Sequence, residues 1–430
     1  MTKRDHPAAT LIALGASAAL QVACTVASGA YHPAAVVLLV AAAGLLVAAL
    51  AGLARGARVP HGAVLGVILL IVGHGALAAV APLAAERPAS SVTLVPLAMF
   101  GLGLTYLAPS GPVLAAVRFA AIVALGAVLG AQVIHASPDP PIDVFALQRD
   151  GADALLAGRN PYASVAVTDT NPWLAQPRTV PYTYPPVQLA MTTLARAVAG
   201  DVRWAMVAAL IVAAIAARQA ARRIAPEAPP LQHDAPALVV LGGPLTAFVI
   251  EQAWVDPVSL GLLALGLWAV AARRAGLAAI VLGVACASKQ PLALLVPLLA
   301  LVPGFTRRHV AIALAAGGAT VLPFVIWDPA AFWRGAVHYF VALPVRSDAL
   351  TLSNLIRRRF GWAPGELAGL AAGGVAVAAL WRRLPRADAS FALLAGLVLC
   401  SLFLFGRLAF ANYYFFLSGL VALGAALVTA

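Results

Sequence analysis

Apolar runs of about twenty residues, separated by short polar breaks, recur along most of the chain. A helix needs about 20 apolar residues to cross the hydrocarbon core of a bilayer. Such runs begin near Ala8, Pro33, Gly62, Ser91 and Pro112, and the pattern predicts five helices over residues 1–135. From Ser137 to Pro186 the pattern fails, and the chain reads SPDPPIDVFALQRDGADALLAGRNPYASVAVTDTNPWLAQPRTVPYTYPP. Connections longer than about 15 residues are usually functional or disordered. Tyr162, Trp173, Tyr182 and Tyr184 argue against disorder here. Val187 to Ala199 is apolar but short and carries Arg196, which suits a helix lying in the interface better than a crossing. The first large polar segment therefore covers residues 136–203.

Beyond it, apolar runs resume. One runs from Trp204 to Ala217 and is followed by Arg218, Arg222 and Arg223. A helix is expected from about Pro236 to Glu251, then a short turn to Asp256, then a helix returning to Arg273 and Arg274. The run from Ala275 to Val302 is interrupted by Ser288-Lys289-Gln290-Pro291. It reads as two shorter helices with a turn at Lys289, because a lysine inside the bilayer is costly and needs a partner. A helix from Val310 to Trp327 leads into a second polar segment, residues 328–364, holding Trp333, His338, Tyr339, Arg346 and Arg357-Arg358-Arg359. The remaining helices pass Arg382, Arg383 and Arg386 and turn between Arg407 and Tyr414. The expected fold is one all-α polytopic membrane domain of about fourteen transmembrane helices, within a range of roughly 11–14. Its parts are residues 1–135, 136–203 and 204–430.

Composition agrees: 62% of residues are hydrophobic and 10% charged, against roughly 25% charged in soluble domains. The net charge of +12 lies in short basic clusters between apolar runs, which is the pattern of topology signals and not of a nucleic-acid site. Lys3 and Arg4 precede the first run, and Arg55 and Arg58 follow the second. By the positive-inside rule these flanks are cytoplasmic, and counting crossings puts both long polar segments on the outer face. The first run reads as a retained helix, not a cleaved signal. Cys24, Cys286 and Cys400 lie in separate apolar runs with neither metal spacing nor a disulfide framework. No cluster has metal-ligand spacing, so catalysis without a bound metal is expected.

Asp143 lies between Ile142 and Val144-Phe145, just past the fifth run. Apolar surroundings raise the proton affinity of a carboxylate, which suits a general base. The competing reading makes Asp143 the cap of a helix starting near Val144. Asp139, Asp150, Asp153 and Asp169 compete for the base role, although Asp139, set between prolines, reads as a turn residue. Gly158-Arg159-Asn160-Pro161-Tyr162 has turn chemistry. Tyr182-Thr183-Tyr184-Pro185-Pro186 forms a stiff aromatic re-entry, suited to interface anchoring or to stacking on a sugar.

The string IDVFALQRDGADALLAGRNPYA, followed by YTYPPVQL, resembles the first large outer loop of GT-C type glycosyltransferases, in particular the bacterial mannosyltransferase-like group known as glycosyltransferase family 87. The matching positions are Asp143, Gly158, Asn160, Pro161, Tyr162, Tyr184, Pro185 and Pro186, and Lys289 before Pro291 resembles a further recurring feature. One departure is plain: five helices precede the loop, where many members carry the acid after the first. The resemblance implies a multi-pass protein of the bacterial plasma membrane with its site on the outer face. It implies transfer of a mannose-like or pentose sugar from a polyprenyl-phosphate donor to a lipid or glycan acceptor, with inversion and no cofactor beyond the lipid-linked donor. Asp143 is then the general base. Lys289 and Arg346 meet the leaving phosphate, which arginine binds bidentately and lysine as a point charge. Asn160, Tyr162, Tyr184, Glu251 and Asp256 contact substrate. Arg357 to Arg359 read as headgroup anchors. The alternatives are a secondary transporter, or a flippase or ligase for lipid-linked sugars. Transporters place ionisable groups near the midplane, where this chain has mostly Ala, Leu, Val and Gly.

Overall fold

The computed structural model describes residues 5–26, 29–53, 57–80, 94–109, 111–170 and 176–429. Lys3, Arg4, Arg55, Ser91 and Trp173 lie outside the described residues. The first helices are α1 (Ala8–Thr25), α2 (Pro33–Gly52), α3 (His61–Val80), α4 (Leu94–Leu104) and α5 (Pro112–Ala136). Proline opens α2 and α5 at the first helical positions, where its missing N–H has no helical acceptor to lose. Short strands β1 (Asp5–Pro7) and β2 (Arg58–Pro60) pair antiparallel between the ends of these helices.

The first large polar segment folds as α6 (Asp143–Leu156), α7 (Pro161–Ser164), an antiparallel ribbon of β3 (Ala166–Asp169) and β4 (Arg178–Pro181), and α8 (Pro186–Ala199). Next come α9 (Trp204–Ile224), α10 (Pro230–Gly242), α11 (Thr246–Glu251), α12 (Asp256–Ala271) and α13 (Ala275–Ala287). A 3-10 helix covers Gln290–Leu301, and α14 (Arg307–Trp327) follows. The second polar segment contains α15 (Pro329–Phe332), a π-helical turn (Trp333–His338), α16 (Tyr339–Ala342) and α17 (Leu352–Phe360). The chain closes with α18 (Gly365–Leu380), α19 (Asp388–Phe405) and α20 (Ala411–Ala426).

The protein is all-α apart from the two ribbons among its described residues. Among the described residues, six helices, α1, α2, α5, α9, α14 and α19, are long and apolar enough to cross a membrane. Seven shorter apolar segments accompany them. The outside of the bundle is apolar: Ile326 on α14 is 72% exposed and Leu367 on α18 is 79% exposed. Contiguous apolar surface on this scale belongs to a protein with a nonaqueous neighbour.

The N-terminal helices are integral to the bundle. The first, α1, packs on α2, α3 and α20, while α2 packs on α19 and α3 on α10. Where helices are equally apolar on every side, close approach and buried polar contacts fix their pairing. Ser17 Oγ and Ser418 Oγ lie 3.0 Å apart between α1 and α20, and Gln21 Nε2 donates to Ser418 Oγ at 2.8 Å. A methyl group at Gly283 would strike the Ala313 carbonyl, so only glycine permits the α13–α14 approach.

The expected helix from Pro236 to Glu251 is corrected. The helix starts at Pro230, carries Pro236 within it, and stops at Gly243, whose backbone is extended. Gln21 fills the space beside Gly243, and a new short helix begins at Thr246. The break at Ser288-Lys289 is as expected, but the second half is 3-10 and not α-helical. Runs of 3-10 helix beyond 3–4 residues are uncommon. Here Pro291 and Pro297 lack the N–H that an α-helical pattern would use.

Candidate functional site

Segments far apart in sequence meet around a cavity of about 650 Å³. Its walls come from the start of α6, the β3–β4 ribbon, the aromatic re-entry before α8, the turn from α11 to α12, the Lys289 break, the stretch from Tyr339 to Asp348, Glu366 on α18, and the α19–α20 turn. The start of α6, the ribbon, the aromatic re-entry and the stretch from Tyr339 to Asp348 belong to the two long polar segments expected on one face of the membrane.

Asp143 is the first residue of α6 and half-buried on the cavity wall. Its expected alternative role as the helix cap is not what the backbone adopts. The cap position is Ile142, in extended conformation at φ −133° and ψ 138°. The Ile142 amide donates to the Pro140 carbonyl at 2.8 Å, a tight turn about Pro141 after which the helix begins at Asp143, one residue earlier than a cap there would allow. The positive end of the helix dipole favours a carboxylate there. Tyr184 and Tyr339 share the cavity with Asp143. Burial raises the proton affinity of both phenols well above the ordinary range, and the Asp143 carboxylate adds to the effect. Arg178 opposes it at Tyr339 without cancelling it. Both tyrosines are therefore neutral phenols at physiological pH.

Cations in the cavity wall are matched with carboxylates. Arg178 Nη2 donates to Asp169 Oδ2 at 3.1 Å across the ribbon, where the two residues face each other in register. Arg346 grips Asp348 through Nε at 2.6 Å and Nη2 at 2.9 Å and lies 4.3 Å from the Phe410 ring centre. Arg407 Nε meets Glu366 Oε1 at 3.1 Å, and its Nη1 donates to the Leu343 carbonyl at 2.9 Å. Lys289 Nζ bonds Asp256 Oδ1, and Asn412 Nδ2 donates to Asp256 Oδ2 at 2.8 Å. An ion pair buried this well is expensive to break from one side, by about 3–5 kcal/mol. Gln290 joins two walls, donating to the Thr183 carbonyl at 3.2 Å and the Ala336 carbonyl at 3.1 Å.

Five of the expected site residues line the cavity together: Asp143, Tyr184, Asp256, Lys289 and Arg346. Three do not. Asn160 caps α7, its Oδ1 accepting from the Tyr162 amide at 3.0 Å. Tyr162 is 4% exposed and packs edge-on against Tyr182, Phe324 and Phe332. Glu251 ends α11, 5% exposed and outside the cavity lining, while its neighbour Gln252 is part of that lining. Among the competing acids, Asp150 pairs with Arg149 and Asp153 with Arg196, away from the cavity, and Asp139 also meets Arg149. Asp348, Glu366, Asn412 and Tyr413 are cavity residues that the sequence pattern did not single out. The signal for Asn412 was one amide in the stretch from Phe410 to Phe416, whose other residues are aromatic apart from Ala411.

Among the described residues, no three His, Cys, Asp or Glu side chains are grouped to hold a metal ion. An apolar groove of about 480 Å³, lined by Leu294, Pro297, Leu370, Gly373, Val377 and Trp381, lies beside the cavity and shares Leu294 with it. No family model, curated protein or solved structure matches the chain.

Proposed function

We propose that this chain is a membrane glycosyltransferase. In this reading it moves a mannose-like or pentose sugar from a polyprenyl-phosphate donor to a hydroxyl of a lipid or glycan acceptor, on the outer face of a bacterial plasma membrane. All the apolar helices, short ones included, then contribute to about fourteen crossings. One observation carries the reading. A single cavity holds a carboxylate at a helix start, aromatic walls and separate cations, and it adjoins a groove lined almost entirely by apolar residues. A lipid-linked sugar phosphate needs all four.

Asp143 accepts the proton of the acceptor hydroxyl. The acceptor oxygen forms a bond to the anomeric carbon as the bond from that carbon to the phosphate oxygen breaks. The phosphate leaves with the electron pair, and configuration inverts. Lys289 and Arg346 stabilise the charge that develops on it. Both already face carboxylates, so the phosphate enters an arranged set of charges instead of meeting bare cations. Tyr184, Tyr339 and Tyr413 offer faces against which a pyranose or furanose ring packs.

The test is sugar transfer by purified protein in nanodiscs, supplied with polyprenyl-phosphate mannose or arabinose and a membrane lipid extract. Mass spectrometry should find a glycosylated product with wild type and at least about a hundredfold less of it, at equal time, with Asp143→Asn. The break at Gly243-Pro244, and the buried Lys289–Asp256 pair at the second helix break, are what favour a transporter reading. Solute uptake into vesicles without covalent product would replace the proposal with that reading.

A further inference from the structure

Lys289 is held from several sides. Its ammonium bonds Asp256 at the start of α12. Asn412, in the first turn of α20, bonds the other oxygen of the same carboxylate at 2.8 Å. The next residue, Tyr413, sets its ring centre 4.1 Å from Lys289 Nζ. Asp256 is 0% exposed and Lys289 8% exposed. A carboxylate held through one oxygen can still rotate about its Cβ–Cγ bond. The Asn412 bond to the second oxygen removes that freedom and fixes the direction from which Asp256 holds the ammonium. An ammonium carries three donors. Asp256 engages one, and the aromatic face attracts the charge without using a second in a directed bond. All four residues line the cavity.

We propose that Asn412 and Asp256 are a positioning pair for Lys289, and that the ammonium they aim is the point of contact for the phosphate of a polyprenyl phosphate. This assignment rests on the donor class named above. It moves Asp256 from binding sugar hydroxyls to orienting a cation, and it gives Asn412 a role that acts through two other residues. The phosphate meets a charge whose direction is set before binding, so little is lost in ordering it.

Lys3 and Lys289 are the only lysines in the chain, which makes the test direct. Full-length protein in nanodiscs is treated with a small amine-acylating reagent, and the rate at each lysine is read by peptide mass spectrometry, with Lys3 as the internal reference. Undecaprenyl phosphate should slow acylation of Lys289 and leave Lys3 unchanged, while inorganic phosphate at the same concentration should do neither. In Asn412→Ala and Asn412→Asp, half-protection should need about tenfold more undecaprenyl phosphate, the size of one lost bond to a charged group. Both should melt below wild type, because the bond to the buried carboxylate is lost in the free protein too, so protection is read well below the melting temperature of each variant.

Absence of lipid protection in wild type overturns the phosphate contact. Equal protection by inorganic phosphate overturns the lipid assignment. Identical protection in wild type and both Asn412 variants overturns the positioning role. Protection without sugar transfer by the same preparation removes the transferase reading and leaves this site standing, so the two failures are separable.

Discussion

The Tyr162 hydroxyl donates a hydrogen bond to the backbone carbonyl of Tyr184, 2.5 Å away. One aromatic residue thus braces the wall that carries another. Tyr184 faces the cavity, whereas Tyr162 stands behind it among Tyr182, Phe324 and Phe332. Tyr162→Phe keeps the ring packing and deletes the bond. It should cost about 1 kcal/mol of stability, measured by thermal unfolding in detergent, and leave sugar transfer near wild type. Lost transfer at unchanged stability would instead put the Tyr162 hydroxyl on the substrate.

The carboxylates of the first polar segment should separate sharply in activity. Asp143→Asn should lower kcat by about 10²–10⁴-fold, the usual contribution of a general base, with donor affinity retained. Asp150→Asn and Asp153→Asn each disrupt an ion pair away from the cavity, to Arg149 and Arg196 respectively. Such pairs are worth about 0–1 kcal/mol, and transfer should hardly change. Comparable losses in all three variants would remove the special role of Asp143.

Gln290→Ala should loosen two walls at once, because one amide nitrogen serves both the Thr183 and the Ala336 carbonyls. The loss should be about 1–3 kcal/mol locally. Hydrogen exchange should quicken over the π-helical turn Trp333–His338 while α1 and α20 stay protected. Unchanged exchange there would mean that packing alone holds the turn. Gly335 gives the packing its own constraint, since a methyl at that position would meet the Tyr182 carbonyl.

Helix starts were readable at Pro33 and Pro112, because fixed φ and a missing donor favour the first turn, but not at Pro230, where Pro236 six residues on competed for the same position. The Lys289 break was readable for a related reason: a charge followed by proline cannot continue an apolar α-helix. The charge matching was not readable. Lys289 meets Asp256, and Glu366 meets Arg407, across separations that only tertiary packing sets. Glu251 and Asp256 looked equivalent in the same short turn. Between them Ala253 adopts φ 54°, a left-handed conformation unusual for alanine. Asp256 then reaches the cavity while Glu251 does not. Nothing in an alanine announces such a turn.

At the opposite end from the cavity, His6 should make stability depend on pH. Burial chiefly, with help from neighbouring His61, pushes its pKa from the ordinary 6.5 down to about 4. Gln232 bonds its ring and Asp5 pulls the other way without restoring it. The folded state therefore keeps His6 neutral where the unfolded chain would already bind a proton. The stabilisation is complete above pH 6.5 and is lost as pH falls from 6.5 towards 4. Unfolding temperatures of wild type should drop across that window, and His6→Asn should flatten the slope. Parallel profiles would place the acid sensitivity elsewhere.

The 3-10 segment changes how length should be counted in this bundle. At about 2.0 Å per residue, its 12 residues reach roughly 24 Å, where the same number in an α-helix would reach roughly 18 Å. Tighter winding gives a short run more reach. It also aligns the side chains, because positions three apart eclipse instead of drifting around the axis. Leu292, Leu295, Leu298 and Leu301 form one such file, buried in the core. The adjacent file, Pro291, Leu294 and Pro297, passes from the polar cavity into the apolar groove. An extended hydrocarbon laid along it would follow a straight edge, with no need to coil around its support.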